Sequence, residues 1–433
     1  MSIGKTWVER GNINLFSMLW QIHFVFRPII RNFAPQNHKT KEMRLANIRL
    51  GLLPRIIIAI VLGLLVGQLL PMSGVRIFAT FNSIFSQFLN FLIPLIIVGL
   101  VTPAIGEAGA GAERLLLVTV GIAYLDTTLA GLLAYATGEV LFPAMVADTQ
   151  AGAGVAAETA QAVMPYFTVS IPPMLDVMTA LTFSFVIGLG IAYMPALQTL
   201  KSTMTEFREI VVKTIGKAII PLLPLYIFGI FLQMTVTGEA YRIVLVFAKI
   251  IMVIFVLHIA VLIYEFVIAG IVTRRNPFRL LWTMLPAYAT ALGTSSSAAT
   301  IPVTLRQTVK NGVSEGIAGF TIPLCATVHM SGSAMKITAC ALTICLLHGL
   351  PHDLATFCYF VGMLGVVMVA SPGVPGGSIM ACIGILGSIL GFTPDQQAVM
   401  IALYIAMDSF GTACNVTGDG AIALIIDKIY REK

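Results

Sequence analysis

The sequence predicts an all-α membrane protein of eight transmembrane helices plus two re-entrant helical hairpins, built as inverted repeats. Three observations predict it. Of the 433 residues, 58% are hydrophobic and only 11% are charged, and the mean hydropathy is +0.92; a soluble domain carries about 25% charged residues. Six apolar stretches of spanning length follow one another over 52–273. Beyond 273, two further segments are interrupted mid-way, one by a Ser-rich tip and one by a Gly/Pro-rich tip. This composition excludes a soluble enzyme, a disordered chain and a nucleic-acid binder. The net charge of +6 does not bring nucleic acid back as a partner, because the Lys and Arg residues are dispersed.

Residues 1–42 mix aromatics (Trp7, Phe16, Trp20, Phe24, Phe26) with basic residues (Arg27, Arg31, Lys39, Lys41). They read either as an interfacial amphipathic helix or as untranslated sequence before an initiator at Met43. No cleavable signal peptide is evident. The apolar stretches fall near 52–71, 77–103, 114–136, 174–194, 210–236 and 243–273. The segment 137–166, rich in Ala and Gly, reads as a loop and carries Glu139, Asp148 and Glu158 but no Lys or Arg, whereas basic residues cluster before 52, after 194 and after 273. Basic loops stay cytoplasmic. Six spans starting inside put all three basic segments on that side and 137–166 outside. The six Cys (325, 340, 345, 358, 382, 414) show no ligand spacing and read as small hydrophobes.

Segment 286–306 is too polar for a lipid-facing span, and SPGVPGG (371–377) breaks the apolar segment 353–390. Two prolines among three glycines in seven residues cannot continue a helix. Bare backbone at membrane depth must lie in protein or line a watery cavity, so both segments read as re-entrant hairpins. Between them a helix at about 315–347 contains TVHMSGS (327–333), and a last helix at about 394–427 contains Asp408, Thr412, Asn415 and Asp419. A broken hairpin paired twice with a polar-centred helix is the repeat signature of a secondary transporter.

Asp408, Thr412, Asn415 and Asp419 stand at offsets 0, 4, 7 and 11, which share one helix face. Intramembrane carboxylates are costly and face a site or a partner; the plain structural alternative is helix–helix adhesion. Hard oxygens suit hard cations. A carboxylate, an amide and hydroxyls together suit a zwitterion: Asp408 for its amine, Asn415 for its carboxylate, and the Ser295–Ser296–Ser297 tip for backbone N–H groups.

These residues resemble the dicarboxylate/amino acid:cation symporter family, which includes glutamate and neutral amino acid transporters. ALGTSSSAATIPVT (291–304) is similar to its first re-entrant tip, HMSGSA (329–334) stands where the family has NMDGTA, PGVPGGS (372–378) is similar to the second tip, and DSFGTACNVTGD (408–419) to the final-helix signature. The resemblance runs from about residue 50 to the C-terminus. It implies that Asp408 and Thr412 hold the substrate amine. Asn415, Ser296 and Ser297 would hold the carboxylate, Ser333 would sit beside the side chain, and Val374 would lie in the lid tip. It implies one Na⁺ on the carbonyls of Cys325, His329 and Asn415 with the Asp419 carboxylate. A second would use carbonyls of Thr327, Met368, Val369 and Ser371, and a third would involve Tyr124, Thr127 and Thr128 with residues 329 and 331.

Two departures matter. Acidic-substrate members carry an arginine where this chain has Gly411, and the supporting positions are Ser295 and Ser409; the companion aspartate falls at Tyr404. An unpaired buried carboxylate costs several kcal/mol, so the expected cargo is a small neutral amino acid (Ala, Ser, Thr or Cys) unless a lysine such as Lys336 supplies the charge. At the third cation site, the family's Asn and Asp become His329 and Ser331. Either Asp126 restores the charge, or His329 couples a proton, or His329 is a hydrogen-bonded core residue.

The resemblance therefore implies Na⁺ symport by alternating access, with no enzymatic activity and no cofactor beyond the coupling ion, Na⁺ or H⁺. The alternative is an acidic amino acid or dicarboxylate symporter of the same family, proton-coupled. Spans 1, 2, 4 and 5 within 43–273 would form a scaffold. Spans 3 and 6 would join a transport domain over 274–433, with hairpins at 278–306 and 353–390. A homotrimer in the lipid bilayer of a prokaryotic inner membrane, both termini cytoplasmic, completes the expectation.

Overall fold

The computed structural model describes residues 52–107, 113–152, 163–238, 240–369, 371 and 376–431. Residues 1–42 and Val374 lie outside the described residues. Among those described there are helices and no strand. The first half comprises α1 (Leu52–Val66), α2 (Met72–Glu107), α3 (Glu113–Gly152) and α4 (Val177–Tyr193). Next, α5 (Gln198–Thr214) passes through one π-helical turn, Ile215–Ile219, into α6 (Ile220–Val236), and α7 (Ala240–Thr273) follows. Pro221 and Pro224 remove amide donors just past that turn, which loosens the hydrogen-bond ladder there.

Six helical stretches among the described residues are long and apolar enough to cross a membrane: Met72–Gly106, Arg114–Ala147, Gln198–Val236, Ile243–Thr273, Glu315–His348 and Asp408–Tyr430. The chain is a multi-pass membrane protein. The acidic segment after 136, expected as a loop, continues α3 to Gly152. Its Ala and Leu residues favour helix. Packing holds it too: Tyr135 OH donates to the His352 carbonyl at 3.0 Å, and Glu139 lies 2.9 Å from His352 Nδ1.

The second half comprises α8 (Pro277–Thr294), α9 (Ser297–Lys310), α10 (Glu315–Val328), α11 (Ser331–His348), α12 (Leu354–Val369), α13 (Gly377–Leu390), α14 (Pro394–Ala406) and α15 (Asp408–Arg431). The first tip is a two-residue break. Ser295 is left-handed (φ 49°), and the Ser296 hydroxyl accepts the Ala299 N–H at 3.3 Å. The helices expected at 315–347 and 394–427 are each broken once, at His329–Met330 and at Met407. The first break survives burial because side chains replace the lost helical partners. Thr127 Oγ1 accepts the Met330 N–H at 3.1 Å, and Asn415 Oδ1 accepts the Gly332 and Ser333 N–H groups at 2.8 and 3.2 Å.

Helices α1 and α6 pack together, and α2 packs on α4, α5 and α6. Helix α3 lies along α11 and touches α7 and α12, while α15 is surrounded by α7, α8, α9, α10 and α11. In the most apolar windows, 94% of Glu315–His348 and 83% of Asp408–Tyr430 are buried, against 28% of Arg114–Ala147. The two polar-centred helices are thus the interior of the protein, and their polar groups must find partners there.

Candidate functional site

Asp408, Thr412, Asn415 and Asp419 of α15 are all buried, and they serve two centres. Asp408, at the first turn of α15, lies 3.3 Å through Oδ1 from Lys336 Nζ, and its Oδ2 accepts the Gly376 N–H at 2.8 Å. Lys336 comes from α11 and is fully buried. Its ammonium also sits 3.5 Å above the centre of the Tyr404 ring and 3.4 Å from the Met407 carbonyl, a cation–π contact added to an ion pair. A Cβ built on Gly411 would meet Lys336 Nζ at 2.6 Å. The lysine therefore fills the space into which a side chain at 411 would grow.

Asn415 binds α11 rather than standing free. Besides capping that helix, its Nδ2 donates to Ser333 Oγ at 3.1 Å, and Ser333 Oγ is 3.1 Å from Tyr404 OH. Gly332 makes the crossing possible, because a Cβ there would meet Cys414 Cβ at 2.6 Å and the Gly411 carbonyl at 2.8 Å. The first tip reaches the same place: Ser295 Oγ lies 2.6 Å from Ser409 Oγ, next to Asp408. Ser297, two residues on from Ser295, is buried, as is Thr412, one turn along α15 from Asp408. From the second hairpin, Ser371 Oγ donates to Ser378 Oγ at 3.1 Å, and the Ser371 N–H to the Met368 carbonyl at 3.0 Å. Asp408, Thr412, Asn415, Ser333 and Ser297 are thus drawn from three elements to one buried region.

The second centre is built on His329. Its Nε2 is 2.7 Å from Asp126 Oδ2 and its Nδ1 is 2.9 Å from Asp419 Oδ1. Glu265 Oε1 lies 3.9 Å from Nε2 and accepts from Ser331 Oγ at 2.8 Å. Tyr264 OH donates to Asp126 Oδ1 at 2.9 Å. A neutral imidazole has one N–H, and a carboxylate only accepts. Hydrogen bonds at both ring nitrogens therefore require one more proton than a neutral histidine between two carboxylates supplies. One ligand atom each of Asp126, Glu265 and His329 lie within 4.8 Å of one another, a grouping able to hold a cation. Nearby, Cys325 O accepts the His329 N–H, while Tyr124 OH turns to the Gly362 carbonyl. Thr128 Oγ1 is buried without a partner. Thr327, Val369, Ser371 and Tyr124 line a mostly apolar cavity of about 750 Å³ between α2, α3, α4, α5, α10 and α12.

Glu265 and Tyr264 are the site residues that sequence reading passed over. Glu265 is the lone carboxylate in the apolar run 250–273; the cost of such a group in a span was the available signal. Lys336, left open in the sequence as a source of positive charge, lies on Asp408; helix spacing could not place it there, because it relates residues only within one helix and these two lie on different ones.

The family model for the sodium:dicarboxylate symporter family matches residues 52–429. The serine/threonine transporter SstT of Acinetobacter baumannii (strain AYE) is 28% identical over 395 residues, covering 88% of this chain and 97% of that protein. The transporter of the same name from Acinetobacter baylyi is 26% identical over 406 residues, covering 88% and 98%. A match over nearly all the described helices, on a site of buried polar groups at broken helices, makes this chain a membrane transporter rather than an enzyme: it belongs to the sodium:dicarboxylate symporter family.

Proposed function

We propose that the chain imports a small neutral amino acid of the Ala/Ser/Thr/Cys class by Na⁺ symport and alternating access. The observation that carries this is the Lys336–Asp408 pair: the two buried charges sum to zero, so a zwitterion leaves the pocket neutral whichever groups pair, whereas a second acid group on the cargo would bring an uncompensated negative charge. A buried charge without a partner is expensive. In this reading Asp408 and Thr412 take the amine, Asn415 and the Ser296–Ser297 backbone take the carboxylate, and Ser333 and Tyr404 face the side chain. Relatives named serine/threonine transporters fit a hydroxyl-bearing cargo.

Na⁺ would use the carbonyls of Cys325, His329 and Asn415 with the Asp419 carboxylate, and a second ion the carbonyls of Thr327, Met368, Val369 and Ser371. The third site, around Tyr124, Asp126, Thr127, Thr128 and Ser331, would be altered by His329, whose ring stands where a cation would otherwise balance Asp126 and Glu265. We read α1, α2, α4, α5 and α6 as scaffold and the remaining helices as the moving unit. The assembly would be a trimer in the prokaryotic inner membrane, with both termini cytoplasmic. The packing of α2 on α4, α5 and α6, and of α15 within α7 to α11, supports the division. Coupling follows if cation binding favours the substrate-closed state.

A second reading rests on Lys336 itself. Its Nζ lies where a side chain at 411 would point, so an acidic amino acid could recruit it. Uptake into proteoliposomes under an imposed Na⁺ gradient, with unlabelled serine, alanine, threonine and glutamate as competitors, decides between the two. Serine, threonine or alanine should compete at the lowest concentration. Glutamate as the strongest competitor, or uptake indifferent to Na⁺, overturns the proposal.

A further inference from the structure

We propose that Lys336 is a tethered stand-in for the substrate's ammonium: it neutralises Asp408 in the empty carrier and must be displaced by the amine of the cargo. The inference rests on the reading of Asp408 as the amine ligand. It goes beyond that reading by assigning a role to a residue outside the ligand set and by fixing the sign of two substitutions.

The geometry points this way. Asp408 has two carboxylate oxygens, and Lys336 Nζ takes one at 3.3 Å while the Gly376 N–H takes the other at 2.8 Å. No water reaches Lys336, which is wholly buried, so its charge is compensated inside the protein by Asp408, the Met407 carbonyl and the Tyr404 ring face. An ammonium arriving at Asp408 brings a second cation to the same carboxylate. Two cations at one buried carboxylate repel each other, so the two compete. Lys336 has a flexible four-carbon stem, anchored on a helix that contacts α15 closely at Gly332. It can turn about that stem away from Asp408 while keeping the Met407 carbonyl and the Tyr404 ring face, and the carboxylate that the cargo brings with its ammonium keeps the buried charges balanced.

The consequence is a binding site whose affinity for zwitterions is set by an internal competitor. Removing the competitor's charge leaves Asp408 buried with neutral donors alone and no counter-ion, and substrate binding then repairs an unpaired carboxylate instead of exchanging one ion pair for another. Lys336→Met keeps the length and the contact with the Tyr404 ring and removes the charge. Lys336→Arg keeps the charge and offers a planar fork that grips carboxylates more firmly than an ammonium.

The test is equilibrium binding of L-serine and L-alanine to purified full-length protein in saturating Na⁺, read by calorimetric titration. Lys336→Met should tighten binding about ten-fold or more, and Lys336→Arg should weaken it by a similar factor. If Lys336 instead holds the substrate or merely fills space, Lys336→Met weakens binding or leaves it unchanged, and the inference falls. Should Lys336→Met fail to fold, the arginine variant alone decides: unchanged or tighter binding overturns the proposal. Failure of the underlying reading looks different. In that case neither the wild type nor Lys336→Met binds any neutral amino acid, or Asp408→Asn binds them as well as the wild type does.

Discussion

Nε2 of His329 stands 2.7 Å from Oδ2 of Asp126, joining residues 203 positions apart in the chain. The pair ties α3 to the break between α10 and α11. Through Nδ1 the same ring reaches Asp419 on α15 at 2.9 Å. One imidazole thus holds three elements at the point where the helix is interrupted.

If His329 balances these carboxylates, replacing it with the family's asparagine leaves Asp126, Glu265 and Asp419 facing one another without a cation. Like charges in a buried cluster repel strongly. His329→Asn should lower stability by about 3–5 kcal/mol in Na⁺-free buffer. The melting temperature should rise more with added Na⁺ than that of the wild type, because a bound cation stabilises the state that holds it. Melting curves with Na⁺ and with choline as the replacement cation would measure this; an equal Na⁺ response in both proteins would count against the balancing role.

Asp408→Ala is expected to abolish uptake and to destabilise the fold as well. It leaves the fully buried Lys336 ammonium without its carboxylate, a loss of about 3–5 kcal/mol. The double change Asp408→Ala with Lys336→Met removes both charges and should recover most of the stability but none of the uptake. Thermal unfolding and proteoliposome uptake separate the two effects. A double variant no more stable than the single one would show that the pair contributes little.

Gly332→Ala tests the close crossing of α11 and α15. Its Cβ would meet Cys414 Cβ at 2.6 Å and the Gly411 carbonyl at 2.8 Å, and backbone cannot yield as a side-chain tip does. Overpacking of this kind costs about 1–3 kcal/mol. It would also pull Asn415 away from the two amides it caps. Gly316→Ala, where nothing lies near the added carbon, is the control and should be neutral within about 0.5 kcal/mol. Denaturation of both variants in detergent is the measurement.

The polar face of α15 was legible because a helix turns every 3.6 residues and because charge in an apolar run stands out. The partners of that face were not. Asp419 pairs with a histidine 90 positions away and Asp408 with a lysine 72 positions away, and no periodicity within one helix encodes a contact between two. The first tip was legible from its serines. The breaks at His329 and Met407 were not, since neither carries a proline or glycine at the interruption; acceptors on neighbouring helices open the first of them. The extension of α3 past residue 136 escaped for the opposite reason. Its acidic residues suggested a loop, and contacts to His352 outweighed them.

Asp353 offers a prediction outside the membrane-spanning helices. Its Oδ1 accepts the Thr356 N–H at 3.0 Å and its Oδ2 the Thr356 hydroxyl at 2.7 Å, at the start of α12. These two bonds hold its carboxyl below the usual carboxylate range, since both favour the ionised form. A depressed folded-state value means the contribution is complete above the ordinary carboxylate pKa of about 3.9 and fades as pH falls through the lower folded value. Capping by Asp353 should therefore be constant between about pH 5 and 8 and weaken only in strong acid. Asp353→Ala should remove it at every pH, raising hydrogen exchange at the 354–357 amides while leaving those of α15 unchanged. Exchange at 354–357 that is identical in variant and wild type at neutral pH would mean that packing of Phe357 and Phe360 against the core, both fully buried, holds the end of α12 without its cap.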